Sequence, residues 1–301
     1  MGSGDVYKRQ DNNLAMNKKQ FQNILIWTSA IILIIFIMTP GLWVVLTAFR
    51  PQVDVMAKPP VWIPRNLSFN QFETMLFGGS EGSMGRSPVP VLNYLYNSVV
   101  ISFTSTFVAV LVGTIGGYGF ARHNFKFKNG YFLMIMLTRT IPGISLSLPI
   151  FILFSKIGII DTHFGIIVVF VGLNIPFTVW LTDGFFRQIP RAMSEVAMTD
   201  GCTKLQAFWH IELPLSKSGI ASAGIFAFLI SWNEYALVSN LARSTDSKTL
   251  TVGLMDFTAQ FTINWPGMCA LAVFIIIPAL LLTFLVQKHL VSGLTFGGVK
   301  G

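Results

Sequence analysis

Glu195-Val-Ala-Met-Thr-Asp-Gly-Cys-Thr-Lys-Leu-Gln-Ala-Phe-Trp-His-Ile-Glu-Leu-Pro214 is a polar, charged stretch lying between two long apolar runs. Its punctuation predicts two short helices with a sharp corner. Pro190 suits the first turn of the first helix, where its missing N–H would have no partner anyway. Gly201, after Asp200, can take the left-handed conformation that ends that helix. Thr203 with Gln206 three residues on forms a capping box for the second helix, and Pro214 is expected to stop it. Leu205, Phe208, Trp209 and Ile211 give the second helix an apolar side. A water-facing helix–turn–helix with exposed apolar residues reads as a docking surface. The competing reading is an amphipathic loop lying on a membrane surface.

The flanks decide the class. The chain has 301 residues, 52% hydrophobic and only 11% charged, with positive mean hydropathy. A soluble domain carries roughly 25% charged residues, so this is a polytopic, all-α membrane protein. Six apolar segments lie near 24–46, 95–120, 131–154, 164–184, 218–238 and 267–287, each close to the roughly 20 residues that span a bilayer. The first is too long for a signal-peptide core and lacks a small-residue cleavage site, so it reads as an anchor. Gly113 and Gly117 in the second form a Gly-x-x-x-Gly pair suited to a close helix contact. Residues 1–15 look unlike the rest, and Met16-Asn-Lys-Lys reads like a second start; they are set aside from fold reasoning.

With the N-terminus placed inside, 13 of the 21 Lys and Arg fall on the inner side and seven on the outer, while Arg139 lies within a span. The positive-inside rule then puts both termini and the 185–217 loop in the cytoplasm. The net charge of +8 is scattered beside apolar runs and forms no basic stripe, which argues against nucleic acid. Cys202 and Cys269 offer neither a disulfide framework nor metal-site spacing. The outer segment 47–94 is rich in proline and should be irregular, with a short helix around 70–77.

No Gly-x-x-x-x-Gly-Lys phosphate loop is present, so the chain is not an ATPase by that motif. His123, His163, His210 and His289 fall in loops or at segment ends and read as surface histidines. Polar residues at membrane depth are costly and therefore functional candidates. Arg139 lies about 8 residues into the third span, roughly 12 Å deep. Asn174 is near the middle of the fourth, followed by Pro176, which frees the Gly172 carbonyl. Pro142 and Pro149 should break the third span. Asn233 and Glu234, flanked by Trp232 and Tyr235, sit toward the outer end of the fifth, and aromatics beside polar groups suit a sugar ring and its hydroxyls. Arg139, Asn174, Trp232, Asn233, Glu234 and Tyr235 are thus the candidate translocation path. The competing readings are a structural backbone contact for Arg139 and an interfacial belt for Trp232 and Tyr235.

The spacing Glu195-x-Ala197, three residues, Gly201, nine residues, Ile211-x-Leu213-Pro214 resembles the cytoplasmic "EAA" loop of permease subunits in binding-protein-dependent ABC importers. Val196 stands where that family usually has Ala. The chain end, Gln287 to Gly301, is similar to the tail of maltose-type (MalG-like) carbohydrate permeases. The resemblance implies a type I importer permease fold: an N-terminal cytoplasmic segment 1–23, a six-helix domain 24–287 with a coupling loop at 187–215, and a cytoplasmic tail 288–301. It implies ATPase coupling through Glu195, Ala197, Asp200, Gly201, Phe208, Ile211, Leu213 and Pro214, and a tail contact through Gly297, Gly298 and Lys300. The implied partners are a homologous second permease, two ATPase subunits that hold ATP and Mg2+, and an extracytoplasmic solute-binding protein. The implied cargo is a carbohydrate, with Arg139 favouring an anionic one, and the setting is a bacterial inner membrane. The rival function, an ion-coupled secondary transporter, needs carboxylates at mid-membrane. The only one well inside a span is Glu234, near its end.

Overall fold

The computed structural model describes residues 3–59, 61, 62, 64, 66–77, 89–258 and 263–295, with side chains from 20 to 285. Gly297, Gly298 and Lys300 lie outside the described residues. Among the described residues the architecture is helical, with one isolated antiparallel bridge between Thr258 and Ile263. The long helices are α1 (Ser3–Ala48), α4 (Val91–Arg122), α7 (His163–Gln188) and α14 (Trp265–Thr295). Each is long and apolar enough to cross a membrane. Between α1 and α4 lie α2 (Gln52–Val55) and α3 (Asn70–Phe77), the latter at the expected position.

The third apolar run is not a single rod. It divides into α5 (Lys128–Leu137), a 3-10 turn (Thr138–Thr140) and α6 (Gly143–Ile157), with a 93° bend between the halves. Pro142 causes the break: it has no N–H to continue the ladder and holds Ile141 extended, at φ −76° and ψ 120°. Pro149, expected to break the same run, stays inside α6.

The fifth run is also shorter than its apolar length. After α8 (Arg191–Thr199), α9 (Lys204–Ala207), a π-helical turn (Phe208–Glu212) and α10 (Leu213–Leu215), the chain bends by 72° into α11 (Lys217–Asn233). At 1.5 Å per residue α11 is roughly 26 Å long, a little under the hydrocarbon thickness. It ends at Asn233 because Glu234 turns the chain: its Oε1 accepts the Leu237 N–H at 3.0 Å, and its backbone carbonyl accepts the Thr251 hydroxyl at 2.9 Å. The short α12 (Val238–Leu241) and α13 (Leu250–Gly253) follow.

The core is the α4–α7 pair with α11 against it. Gly113 and Gly117 make close approach possible. A Cβ on Gly113 would lie 2.5 Å from the Thr178 side chain, and one on Gly117 would lie 2.1 Å from Thr182 Oγ1. Small residues let helix backbones meet where lipid supplies no hydrophobic drive. The Thr182 hydroxyl, in turn, donates to the Gly113 carbonyl at 3.1 Å. A polar seam continues where Asn174 Nδ2 donates to Ser231 Oγ at 2.8 Å and the Ser105 and Ser231 hydroxyls meet at 3.2 Å. Each bond satisfies a group that would be expensive to leave bare in a low-dielectric interior.

Candidate functional site

The 195–214 loop sits at the end of the bundle where α4 and α7 finish. Its corner is built as its residue types dictate. Gly201 has φ +97°, in the left-handed region where an L side chain costs about 1–2 kcal/mol. The Gly201 N–H donates to the Met198 carbonyl at 3.2 Å and the Cys202 N–H to the Ala197 carbonyl at 3.0 Å, the paired bonds of a Schellman ending. The capping box is complete: the Gln206 N–H donates to Thr203 Oγ1 at 3.2 Å, and Gln206 Oε1 accepts the Thr203 N–H at 2.8 Å. Pro190 is the N-cap of α8, one position before the first turn.

Pro214 does not stop the second helix. The preceding turn is π-helical and Pro214 lies in the first turn of α10, where its missing N–H breaks no α-helical bond. The turn actually comes at Ser216, before α11. The expected single apolar side is also divided. Phe208 is buried, its ring centroid 4.5 Å from Tyr118 and 6.2 Å from Phe186. Leu205 and Trp209 point outward, 67% and 53% exposed.

The predicted coupling residues therefore fall into two groups. Ala197 and Phe208 are buried and fasten the loop to the bundle, with Ile211 and Leu213 half-buried; Glu195, Asp200, Gly201 and Pro214 are exposed. An open groove of about 600 Å³ runs along the outer side, lined almost wholly by apolar atoms of Ala192, Met193, Val196, His210, Ile211, Pro214 and Leu215. Val196 and Met193 stand in it 60% and 46% exposed. The corner thus presents exposed apolar side chains beside charged groups of the same loop.

Sequence reasoning missed the residues beneath the loop. Arg122, the last residue of α4, donates from Nε and Nη2 to Glu212 Oε2 at 2.9 and 2.7 Å, and from Nη2 to the Ile189 carbonyl at 2.9 Å. The Ser194 hydroxyl donates to Glu212 Oε1 at 2.6 Å. The Arg122 and Glu212 side chains are 9% and 1% exposed. Losing one partner of such a pair leaves a bare buried charge, at a cost of about 3–5 kcal/mol. A signal existed: Glu212 is a lone carboxylate between Ile211 and Leu213, and it needed a cation.

The translocation candidates are not gathered into one site. Arg139 is exposed on the 3-10 turn, its Nη1 donating to the Leu173 carbonyl at 3.1 Å and its guanidinium 5.4 Å from the Phe177 ring centre. Asn233 and Tyr235 are exposed, and Glu234 is half-buried as the turn residue described above. Two of the candidates lie inside the bundle in this structure. Asn174 is fully buried, held by Ser231, because its amide finds a hydroxyl in the seam. Trp232 is 3% exposed and packs in the core, its indole N–H donating to the Ile275 carbonyl at 3.0 Å across to α14.

At the opposite end, Asp161 ties the α6–α7 turn to residues 243–247. Burial pushes its carboxyl up, but the Ser244 N–H, the Ser247 hydroxyl and the Arg243 N–H donate to it, outweigh burial and hold it at about 2 against an ordinary 3.8. Beside it, His163, read from sequence as a surface histidine, meets Asn97 Oδ1 at 2.9 Å.

A multi-pass helical bundle that carries an exposed helix–turn–helix at one end has the build of a membrane permease. The chain belongs to the family of binding-protein-dependent transport system inner membrane components, which matches residues 105–295. It is 29% identical to the diacetylchitobiose uptake system permease protein DasC of Streptomyces coelicolor, over 95% of this chain and 100% of that one. It is 33% identical to the maltose/maltodextrin transport system permease protein MalG of Vibrio parahaemolyticus, over 79% of this chain and 83% of that one. A chain of a bacterial ABC transporter involved in import of the acidic polysaccharide alginate shares the fold, with a TM-score of 0.74, 19% identity, and coverage of 90% of this chain and 97% of that one. The type I ABC importer permease fold is the fold of this chain.

Proposed function

We propose that this chain is the permease subunit of an ATP-driven importer that moves a carbohydrate into the cytoplasm, coupled to separate ATPase subunits through the 195–214 loop. The observation that carries the coupling is the apolar groove on a rigid, exposed corner. An apolar surface of this kind on an otherwise charged loop is a docking site for protein. Both termini and the loop lie in the cytoplasm, as the distribution of Lys and Arg supports. The chain works beside a homologous second permease, two ATPase subunits that bind ATP and Mg2+, and an extracytoplasmic solute-binding protein. The printed names of relatives that handle diacetylchitobiose and maltodextrin support a carbohydrate cargo. The path candidates are Arg139, Asn174, Trp232, Asn233, Glu234 and Tyr235, of which Asn174 and Trp232 are buried in this conformation.

Glu195→Lys and Gly201→Asp test the docking role without touching the bundle core. Gly201→Asp strains the left-handed corner and should uncouple ATP hydrolysis from uptake. Glu195→Lys reverses an exposed charge on α8 and should weaken ATPase co-purification. Normal transport and normal co-purification in both variants would refute the docking role.

A further inference from the structure

We propose that Arg122, Glu212 and Ser194 form a pin that carries motion of the 195–214 loop into α4, which makes Arg122 and Glu212 positioning residues for coupling. The inference rests on the docking role proposed above. Its starting point is connectivity. The loop is joined covalently to α7 through Ile189-Pro190 and to α11 through Ser216, but α4 ends at Arg122 and continues to α5. Loop motion therefore reaches α4 without a covalent link: along the α4–α7 packing, and directly through side-chain contacts at this end.

Those contacts converge on one carboxylate. Glu212 Oε2 receives both Arg122 nitrogens, while Oε1 receives Ser194 from α8. Arg122 also holds the Ile189 carbonyl, so one guanidinium ties α4, the end of α7 and the π-helical turn together. The Tyr118 ring, one turn before Arg122, packs 4.5 Å from Phe208 and 5.4 Å from Phe186 and seals the cluster. Two charge-assisted bonds from one guanidinium to one carboxylate oxygen, with Ser194 on the other oxygen, hold the carboxylate from both sides. Above the pin, α4 is locked to α7 at Gly113 and Gly117, so displacement of the loop meets a stiff pair of helices. On its other side the loop meets α11 at a 72° bend. A packed core passes such displacement on and does not absorb it.

The test uses the assembled transporter in proteoliposomes, with Arg122→Gln, Glu212→Gln and the double variant. The double variant leaves no buried charge unpaired, so it separates stability from transmission. ATPase co-purification, ATP hydrolysis and uptake are measured together. The double variant is expected to regain yield and ATPase binding relative to either single variant. Its uptake per ATP should stay lower by roughly fivefold or more, the lower end of ordinary coupling between sites. Arg122→Lys, which keeps the charge, should recover part of the loss. Ser194→Ala, which removes one hydrogen bond and leaves the ion pair, should give a smaller drop in the same direction. Wild-type uptake per ATP in both the double variant and Ser194→Ala overturns the pin, as does a loss that simply follows lost ATPase binding. A wild-type chain that binds no ATPase defeats the docking role instead.

Discussion

Asp161 sets the pH dependence of one end of the molecule. Its carboxyl is held at about 2, below the ordinary 3.8 of the unfolded chain. A depressed carboxylate stabilises the fold above its unfolded value, and that contribution is lost as pH falls through its folded value. Asp161→Asn should therefore lower the Tm most at neutral pH, with the gap to wild type closing between about pH 4 and pH 2. A gap that is constant across that window contradicts the assignment. Residues at membrane depth make a second prediction. Single cysteines at 233 and 235 should react with a water-soluble thiol reagent in the conformation described, and one at 174 should not, because Asn174 is fully buried. Fast labelling at 174 alone would place water in the α4–α7–α11 seam. Arg139 was legible as an expensive charge needing a partner. Its partner, the Leu173 carbonyl, is backbone, and backbone contacts leave no trace in residue types.

The elements show what sequence reveals and what it hides. The loop's corner was readable because each device is local: Gly201 for a positive φ, Thr203 and Gln206 for a capping box, Asp200 before the turn. The helix at Asn70–Phe77 also lies where it was expected. The Gly113/Gly117 pair was visible as spacing, but its partners Thr178 and Thr182 are set by packing between helices. The 93° bend was only half legible, since Pro142 and Pro149 look alike in sequence and only one breaks the helix. The end of α11 was hidden, because apolar residues run on past Asn233 and a tertiary contact from Thr251 stabilises the turn. The pin was hidden most completely, since Arg122 and Glu212 are 90 residues apart in sequence and an isolated charge near a span end reads first as a topology signal. At this scale Gly117→Ala is the sharp test. Its Cβ would meet Thr182 Oγ1 and lie 2.8 Å from the Asp183 backbone nitrogen, so α4 and α7 must part. A fall in Tm with loss of transport is expected, whereas Gly119→Ala, with nothing within 4 Å of an added Cβ, should be neutral. Equal tolerance of both contradicts the close packing.

Across the whole molecule, the wide exposure of apolar side chains along α1, α4, α6 and α14 is what a chain built for lipid and for partner subunits presents. Among the described residues, four long apolar helices and two bent pairs have their interior filled by the α4–α7–α11 seam, which is why the proposed function places a second bundle beside this one. Composition made the class legible at once, and the loop's spacing made the family legible. The cargo was not, because the candidate path residues are not brought together among the described residues. The central claim is that the chain is driven by ATP through its loop. The direct measurement is uptake of a radiolabelled oligosaccharide into proteoliposomes holding the full transporter, with internal ATP or with an imposed ion gradient. Uptake that requires ATP, survives an ionophore and is lost in Gly201→Asp is the predicted result. Uptake that proceeds without ATP and collapses with the ionophore would contradict the account.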